Sequence, residues 1–218
     1  LSLAVDRDAL VEHVVLGGQR AAHNFVPSGL GGYAPVIPAP PADPTAEARR
    51  LLAEAGHPGG AGFPVLTLVT WTNLPAVEAI QAMWRRELGI EVELARHEAR
   101  VHLAALATGD YDIALMTSIP DVADPAAMLG ELRSGDPGNH PQWSHPPFDA
   151  AFAAATAATS LPEQLALLVR AEQILLEECP LAPLYFNTRN FLVHPRVQGW
   201  HEDRLWTRYY RDVQVSGN

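Results

Sequence analysis

Few residues in this chain have both the chemistry and the position to act on a ligand. Nine histidines raise the question of a metal, and the closest pairs are His97 with His102 and His140 with His145. Neither pair has the i, i+4 spacing that aims two imidazoles from one helix at one ion, so no metal site is expected and the rings read as surface and loop histidines. There is no G-x-S-x-G elbow, no Walker loop, no G-x-G-x-x-G after a strand and no H-E-x-x-H. The commonest α/β chemistries therefore lack their nucleophile, phosphate cradle or metal, and neither a catalytic residue nor a cofactor is expected. Glu91 and Glu93 fall on the solvent side of an alternating strand. Arg49-Arg50 and Arg85-Arg86 read as solvated helix faces. The single cysteine, Cys179, cannot form an internal disulfide or a cysteine-built zinc site, and at the end of an amphipathic helix it reads as an inert small hydrophobe.

One segment differs. Thr117-Ser118-Ile119-Pro120-Asp121-Val122-Ala123-Asp124-Pro125 leaves the carboxyl end of a buried strand, and in open α/β sheets ligands bind there. Asp124, just before a proline, has a structural duty as a helix cap. Asp121 has none. It sits in mid-loop after a proline, where an Asx turn and a ligand contact explain it equally well.

The elements that must position this loop follow from periodicity. Residues 1–5 look like the tail of a helix begun earlier, so the chain reads as a piece of something longer, and Asp6 can cap a helix to about Leu16, stopped by Gly17-Gly18. Residues 19–42 carry Pro27, Pro35, Pro38, Pro40 and Pro41 with Gly29, Gly31 and Gly32, which makes a loop. Asp43-Pro44 opens a helix over 44–55, with Ala48, Leu51, Leu52 and Ala55 on one side. The region 65–116 alternates: a β-rich run from Val65 to Trp71, helical spacing over 75–88, an alternating strand through Ile90, Val92 and Leu94, a short helix over 99–107 closed by Gly109, and an apolar run from Tyr111 to Met116. This βαβαβ order implies parallel strands, so the fold class is α/β with a mostly parallel sheet flanked by helices. Further helices are expected from Asp124-Pro125 to about Leu132, and in two more segments of which the second spans about 162–178 before Pro180. A Gly, Pro and Asn-rich loop spans 134–146. Residues 182–187 and 190–194 read as extended, and the tail holds Trp200, Trp206, Tyr209 and Tyr210.

Composition narrows the classes of partner. The 218 residues carry 25 acidic against 15 basic side chains, a formal charge of −10. Every cation is an arginine and they are scattered, which excludes the basic stripe that nucleic acid would want. With 48% hydrophobic residues the chain can bury a core. No run reaches the ~18 apolar residues of a membrane span, and no insertion into a bilayer is expected.

Read together, several stretches resemble the extracellular solute-binding proteins of peptide ABC importers, within that group most closely the oligopeptide-binding proteins. Leu1-Ser2-Leu3-Ala4-Val5-Asp6-Arg7 resembles the family helix ending A-I-D-R, and Ala48 to Gly56 resembles A-K-K-L-L-A-E-A-G. Met83-Trp84 with Leu88 to Leu94 resembles M-W-x-x-x-L-G-I-x-V-x-L, Gly109 to Ala114 resembles G-x-Y-D-I-A, and Asp121 to Pro125 falls on D-Y-x-D-P. Pro147-Phe148-Asp149, Ala171 to Leu175 and Pro180 to Phe186 complete the series. The resemblance implies one lobe of a two-lobed type II periplasmic-binding-protein fold. Residues 1–190 would form the second, ligand-binding lobe, and residues 191–218 a return segment crossing a hinge to a first lobe that is missing. The tail, deprived of that lobe, is then expected to pack on its own lobe or on a neighbouring chain. The implied protein is exported to the periplasm or the outer surface, where a lipid anchor ahead of the lobe would hold it, closes around an extended oligopeptide, and is read by a membrane permease. By the same resemblance Asp121 pairs with the peptide's α-ammonium, and Thr117, Ser118, Asn73, Asn139 and Trp143 are lining candidates, although Trp143 reads equally well as core.

The departures are specific. Ser118 stands where the family commonly has a tryptophan, and Leu115 replaces an arginine that can meet a short peptide's carboxylate. A glycoside, opine or metal chelate as cargo, an α/β enzyme with an unrecognised site, and an interaction module using the aromatic tail are the competing readings.

Overall fold

The computed structural model describes residues 1–72, 74–201 and 207–216. Local signals set most of the elements. The Asp6 carboxylate accepts from Ala9 N at 2.9 Å and starts helix α1 (Arg7–Leu10), which widens into π-type turns over Val11–Val15. The stop comes one residue earlier than the glycines suggest, because Leu16 itself takes the left-handed conformation, φ 48°. After β1 (Arg20–Ala21), helix α2 (Pro44–Glu54) opens as expected, with Asp43 accepting from Ala46 N at 2.9 Å and Pro44 in the first turn, where its missing N–H costs nothing. Next come β2 (Leu66–Thr70), α3 (Leu74–Leu88), β3 (Val92–Arg96), α4 (Ala99–Thr108) and β4 (Ile113–Ala114). Helices α5 (Pro125–Gly130), α6 (Pro146–Ala157) and α7 (Leu161–Glu178) follow, then β5 (Tyr185–Phe186), β6 (Val197–Gln198) and β7 (Gln214–Val215).

The central sheet has the order β3-β2-β4 and is parallel throughout, with Leu68 beside Leu94 on one side and Ile113 on the other. Gly89 sets the turn into β3. Its φ of 68° is left-handed, and a Cβ there would collide with the Gly59 carbonyl of the turn packed against it. The strand expected over Tyr111–Met116 pairs only at Ile113–Ala114, because at its front the Asp112 carboxylate, instead of a main-chain carbonyl, takes the Thr67 N–H at 2.8 Å. Residues 190–194 form no strand. Asn190 instead donates through Nδ2 to Gly17 O at 2.8 Å, beside Thr188 Oγ1, which donates to the same carbonyl at 2.5 Å.

Two apolar clusters hold the elements. In the first, Val77, Ile80, Trp84 and Leu88 of α3 pack against Leu68 and Val92 of the sheet and Leu10 of α1. In the second, Leu129, Phe148, Phe152, Leu168 and Leu175 from α5 to α7 enclose Val26, Leu30 and Tyr33 of the proline-rich loop. That loop is pinned from inside. Glu172 is 2% exposed and accepts from Phe25 N (2.9 Å), Val26 N (2.7 Å) and Tyr33 OH (2.7 Å). Burial pushes its carboxyl above the ordinary range, against the pull of these donors, and burial together with the facing carboxylate pushes the Tyr33 phenol up.

In the tail, β6 and β7 pair antiparallel, Trp200 packs on Phe191 at 5.3 Å and on Tyr210 at 5.9 Å, and Leu192 is fully exposed. Trp206 lies outside the described residues. Among the described residues no helix is long and apolar enough to cross a membrane. Cys179 is exposed, in the left-handed conformation that closes α7, with its thiol donating to Leu176 O at 2.9 Å and held above the ordinary thiol range, chiefly by desolvation.

Candidate functional site

The site begins where β4 ends. His102 on α4 is 1% exposed, and its Nε2 lies 3.1 Å from Leu115 O. A carbonyl can only accept, so Nε2 carries the proton and Nδ1, which is buried without a partner, carries the lone pair. This bond ties the strand end to the helix above it, and the loop departs from that fixed point. Thr117 is exposed and Ser118 half-buried. Asp121 is exposed, and among the described residues its carboxylate accepts no hydrogen bond and forms no ion pair. Asp124, three residues on, accepts from Ala126 N at 2.8 Å as a helix cap. The two aspartates of one loop are thus held differently: one is committed to the scaffold and the other is presented to solvent.

A further carboxylate stands at this loop, and sequence reasoning missed it. Ser118 Oγ donates to Glu131 Oε2 at 3.1 Å. Glu131 is half-buried and its carboxyl is pushed up, chiefly by burial; the Ser118 bond pulls it down, Asp136 pushes it up, His140 pulls it down and Asp121 pushes it up. One signal could have found it. Glu131 sits at the carboxyl end of α5, where the exposed carbonyls disfavour a negative charge, so a carboxylate there needs another reason.

The remaining sequence candidates are placed elsewhere. Asn139 is buried, with Nδ2 donating to Arg133 O (3.0 Å) and Trp143 O (2.6 Å) and Oδ1 accepting from Trp143 N (3.2 Å), so both amide hydrogens hold its own loop together. Trp143 is half-buried, packed on Phe148 at 5.0 Å and stacked on His145 at 5.2 Å, on the edge of the second core. Asn73 lies outside the described residues. The structure therefore brings Ser118 and Asp121 to Glu131, leaves Thr117 exposed on the same loop, and gives Asn139 and Trp143 to the scaffold. On the far side of β2, at the ends of β2 and β3, lies an open cavity of about 590 Å³ lined by Trp71, Arg96, His97, Glu98, Ala99 and Arg100. Among the described residues no group of three or more His, Cys, Asp or Glu side chains is placed to hold a metal ion.

His102 makes the strand end sensitive to acid. Burial holds its imidazole below the ordinary value of 6.5; the bond to Leu115 opposes this, and the nearby His97 and His140 add to it. The unfolded chain therefore binds the proton more readily, so this contribution to stability is complete above the unfolded value and is lost as pH falls towards the folded one. Thermal unfolding is expected to show a lower midpoint at about pH 5 than at about pH 7.5, and His102→Phe to shrink that difference. An unchanged difference in the variant would assign the acid sensitivity to other groups.

With this geometry in view, comparisons with known proteins are informative. Residues 1–140 match the model of the bacterial extracellular solute-binding proteins, family 5 Middle. The chain is 30% identical over 209 residues to the periplasmic murein peptide-binding protein MppA of Escherichia coli, covering 92% of this chain and 38% of that protein. It is 28% identical over 222 residues to the periplasmic oligopeptide-binding protein OppA of the same organism, covering 99% of this chain and 41% of that one. The chain thus spans about two fifths of the length of these relatives. Among solved structures, the Escherichia coli murein tripeptide-binding protein MppA superposes over 100% of this chain and 44% of its own, with a TM-score of 0.90 at 28% identity. Haemophilus influenzae OppA in complex with the peptide RPPGFSPFR superposes over 98% of this chain and 44% of its own, with a TM-score of 0.84 at 25% identity. The parallel sheet, its flanking helices and the loop leaving β4 are therefore those of a binding-protein lobe, and the chain belongs to the bacterial extracellular solute-binding proteins of family 5.

Proposed function

We propose that this chain is a non-catalytic, peptide-capturing lobe of the substrate-binding component of an ABC importer, with Asp121 as the counter-ion for the peptide's α-ammonium. The observation that carries this reading is the contrast within one loop: Asp124 is engaged by the scaffold, whereas Asp121, in the loop leaving the carboxyl end of a parallel strand, is exposed and accepts no hydrogen bond among the described residues. An ammonium withdrawn from water needs an opposite charge and an acceptor, and one carboxylate supplies both. Thr117 and Ser118 flank it as polar lining. Residues 1–190 act as the ligand lobe, and residues 191–218 lead across a hinge to a first lobe in the whole protein. The peptide backbone is held as an added strand, closure of the two lobes buries it, and a membrane permease reads the closed form. The relatives named as periplasmic support an exported location.

The test is a thermal-shift titration of the full-length protein with unblocked short peptides. Binding of a ligand to the folded state raises the midpoint in proportion to the logarithm of its concentration. A rise with peptides, and none with free sugars or with substrates turned over by hydrolases, is the expected result. No shift with any peptide, or turnover of a substrate, would contradict the reading.

A further inference from the structure

Ser118 and Glu131 form a pair to which the capture of an ammonium by Asp121 assigns no role. Ser118 Oγ lies 3.1 Å from Glu131 Oε2. An ionised carboxylate only accepts, so the hydroxyl hydrogen is committed to Glu131 and Oγ is left with lone pairs alone. Among the described residues nothing donates to them. Donation to a charged acceptor also polarises the hydroxyl and makes its oxygen a better acceptor. Glu131 is itself held in place. Its stem lies against Gly138, where an added Cβ would stand 3.1 Å from Glu131 Cβ and 3.2 Å from Cγ. That turn is fixed by Asp136, which accepts from Gly138 N at 2.9 Å and pairs with Arg133 at 2.7 Å. The pair also belongs to the ligand loop. Ser118 is half-buried three residues before Asp121. Burial is the main cause that pushes the Glu131 carboxyl up, and the charge of Asp121 reaches Glu131 and adds to it.

We infer that Glu131 is a positioning residue that holds Ser118 Oγ as a second acceptor for the ammonium that meets Asp121, an inference that rests on the proposed peptide-binding function. An ammonium has three N–H donors and no acceptor. Asp121 supplies the opposite charge, and any N–H it leaves over is stranded once the site is closed to water, at the cost of an unmade bond to a charged group. A serine free to rotate can turn its own hydrogen towards the ammonium and repel it. The bond to Glu131 removes that orientation before the ligand arrives, so none of the ligand's binding energy goes into it. Selectivity follows from counting hydrogens. A primary ammonium has donors for both oxygens, whereas an N,N-dimethylated amino terminus keeps the charge with a single N–H, which Asp121 takes, and an N-acetylated one has lost the charge.

Calorimetric titration of the full-length protein with alanine tripeptide and its N,N-dimethyl and N-acetyl derivatives tests this in wild type, Ser118→Ala, Glu131→Ala and Glu131→Gln. Ser118→Ala is expected to weaken the unblocked peptide by about tenfold or more, the effect of one hydrogen bond to a charged group, and to leave the dimethyl peptide nearly unchanged. The unchanged dimethyl peptide shows that the variant is folded and that Asp121 is intact. Glu131→Ala should reproduce much of the loss, again for the unblocked peptide alone. In Glu131→Gln the amide oxygen still accepts from Ser118, so the affinity should return close to that of wild type. Equal losses for the unblocked and dimethyl peptides, no loss in Ser118→Ala, or a Glu131→Gln variant as weak as Glu131→Ala would overturn the inference, the last because Glu131 would then act by its charge and not through Ser118. Indifference to N-acetylation in wild type counts against the Asp121 reading, and so separates that failure from this one.

Discussion

Replacing Glu172 with alanine is expected to cost about 3–5 kcal/mol of folding stability, a large part of what a domain of this size has. The side chain is 2% exposed and satisfies two backbone N–H groups and a phenol at once. Removing it leaves three buried donors facing a void, and each orphaned donor costs about 1–3 kcal/mol unless water enters. Because Val26, Leu30 and Tyr33 are brought into the second core by the same anchor, the loss spreads to the packing of α5, α6 and α7. Tyr33→Phe strands no donor but leaves the buried Glu172 Oε2 without its partner, so about 1–3 kcal/mol is expected for it. The two changes together should cost less than their sum, since they share a hydrogen bond. Denaturant unfolding with an unchanged slope measures all three. A cost under 1 kcal/mol for Glu172→Ala would mean that the loop is held by its apolar contacts alone.

How much of this was legible beforehand depends on the distance over which each signal acts. The βαβαβ order could be read because periods of 2 and 3.6 are properties of adjacent residues, and the starts at Asp6, Asp43 and Asp124 because a cap and its first turn lie within three residues. Glu172 could not be read. Within α7 it is one polar position among several, and its burial depends on Phe25, Val26 and Tyr33, which lie 147, 146 and 139 residues away. The same holds for the bond from Ser118 to Glu131 and for the inward turn of Asn139, whose amide is spent on its own loop. The strand at Tyr111–Met116 came out short for a local reason that periodicity does not capture, a carboxylate standing in for a carbonyl at Asp112. At Asp121 the loop position followed from the residues, and its proposed role from the family resemblance. That its carboxylate is left unengaged is a property of the folded loop.

Asp121→Asn is expected to weaken binding of an unblocked short peptide by about 30-fold or more, since removing one partner of a desolvated charge pair costs about 2–5 kcal/mol. Amide and carboxylate have nearly the same shape, so the loss reports charge more than volume. Stability should move by no more than about 0.5 kcal/mol, because the side chain is exposed and accepts no hydrogen bond among the described residues. Loss of binding without loss of stability separates a ligand contact from a structural role, and Asp124→Ala is the control, since it removes a helix cap and should cost about 1 kcal/mol of stability while acting little on affinity.

The direct measurement is a calorimetric cycle on the full-length protein: one tripeptide with a free amino terminus and its N-acetyl form, each titrated into wild type and Asp121→Asn. If this carboxylate is the counter-ion of the ammonium, acetylation weakens binding to wild type by about 30-fold or more and has little further effect in the variant. Equal binding of the two peptides to wild type, or an acetylation penalty of the same size in both proteins, would contradict it.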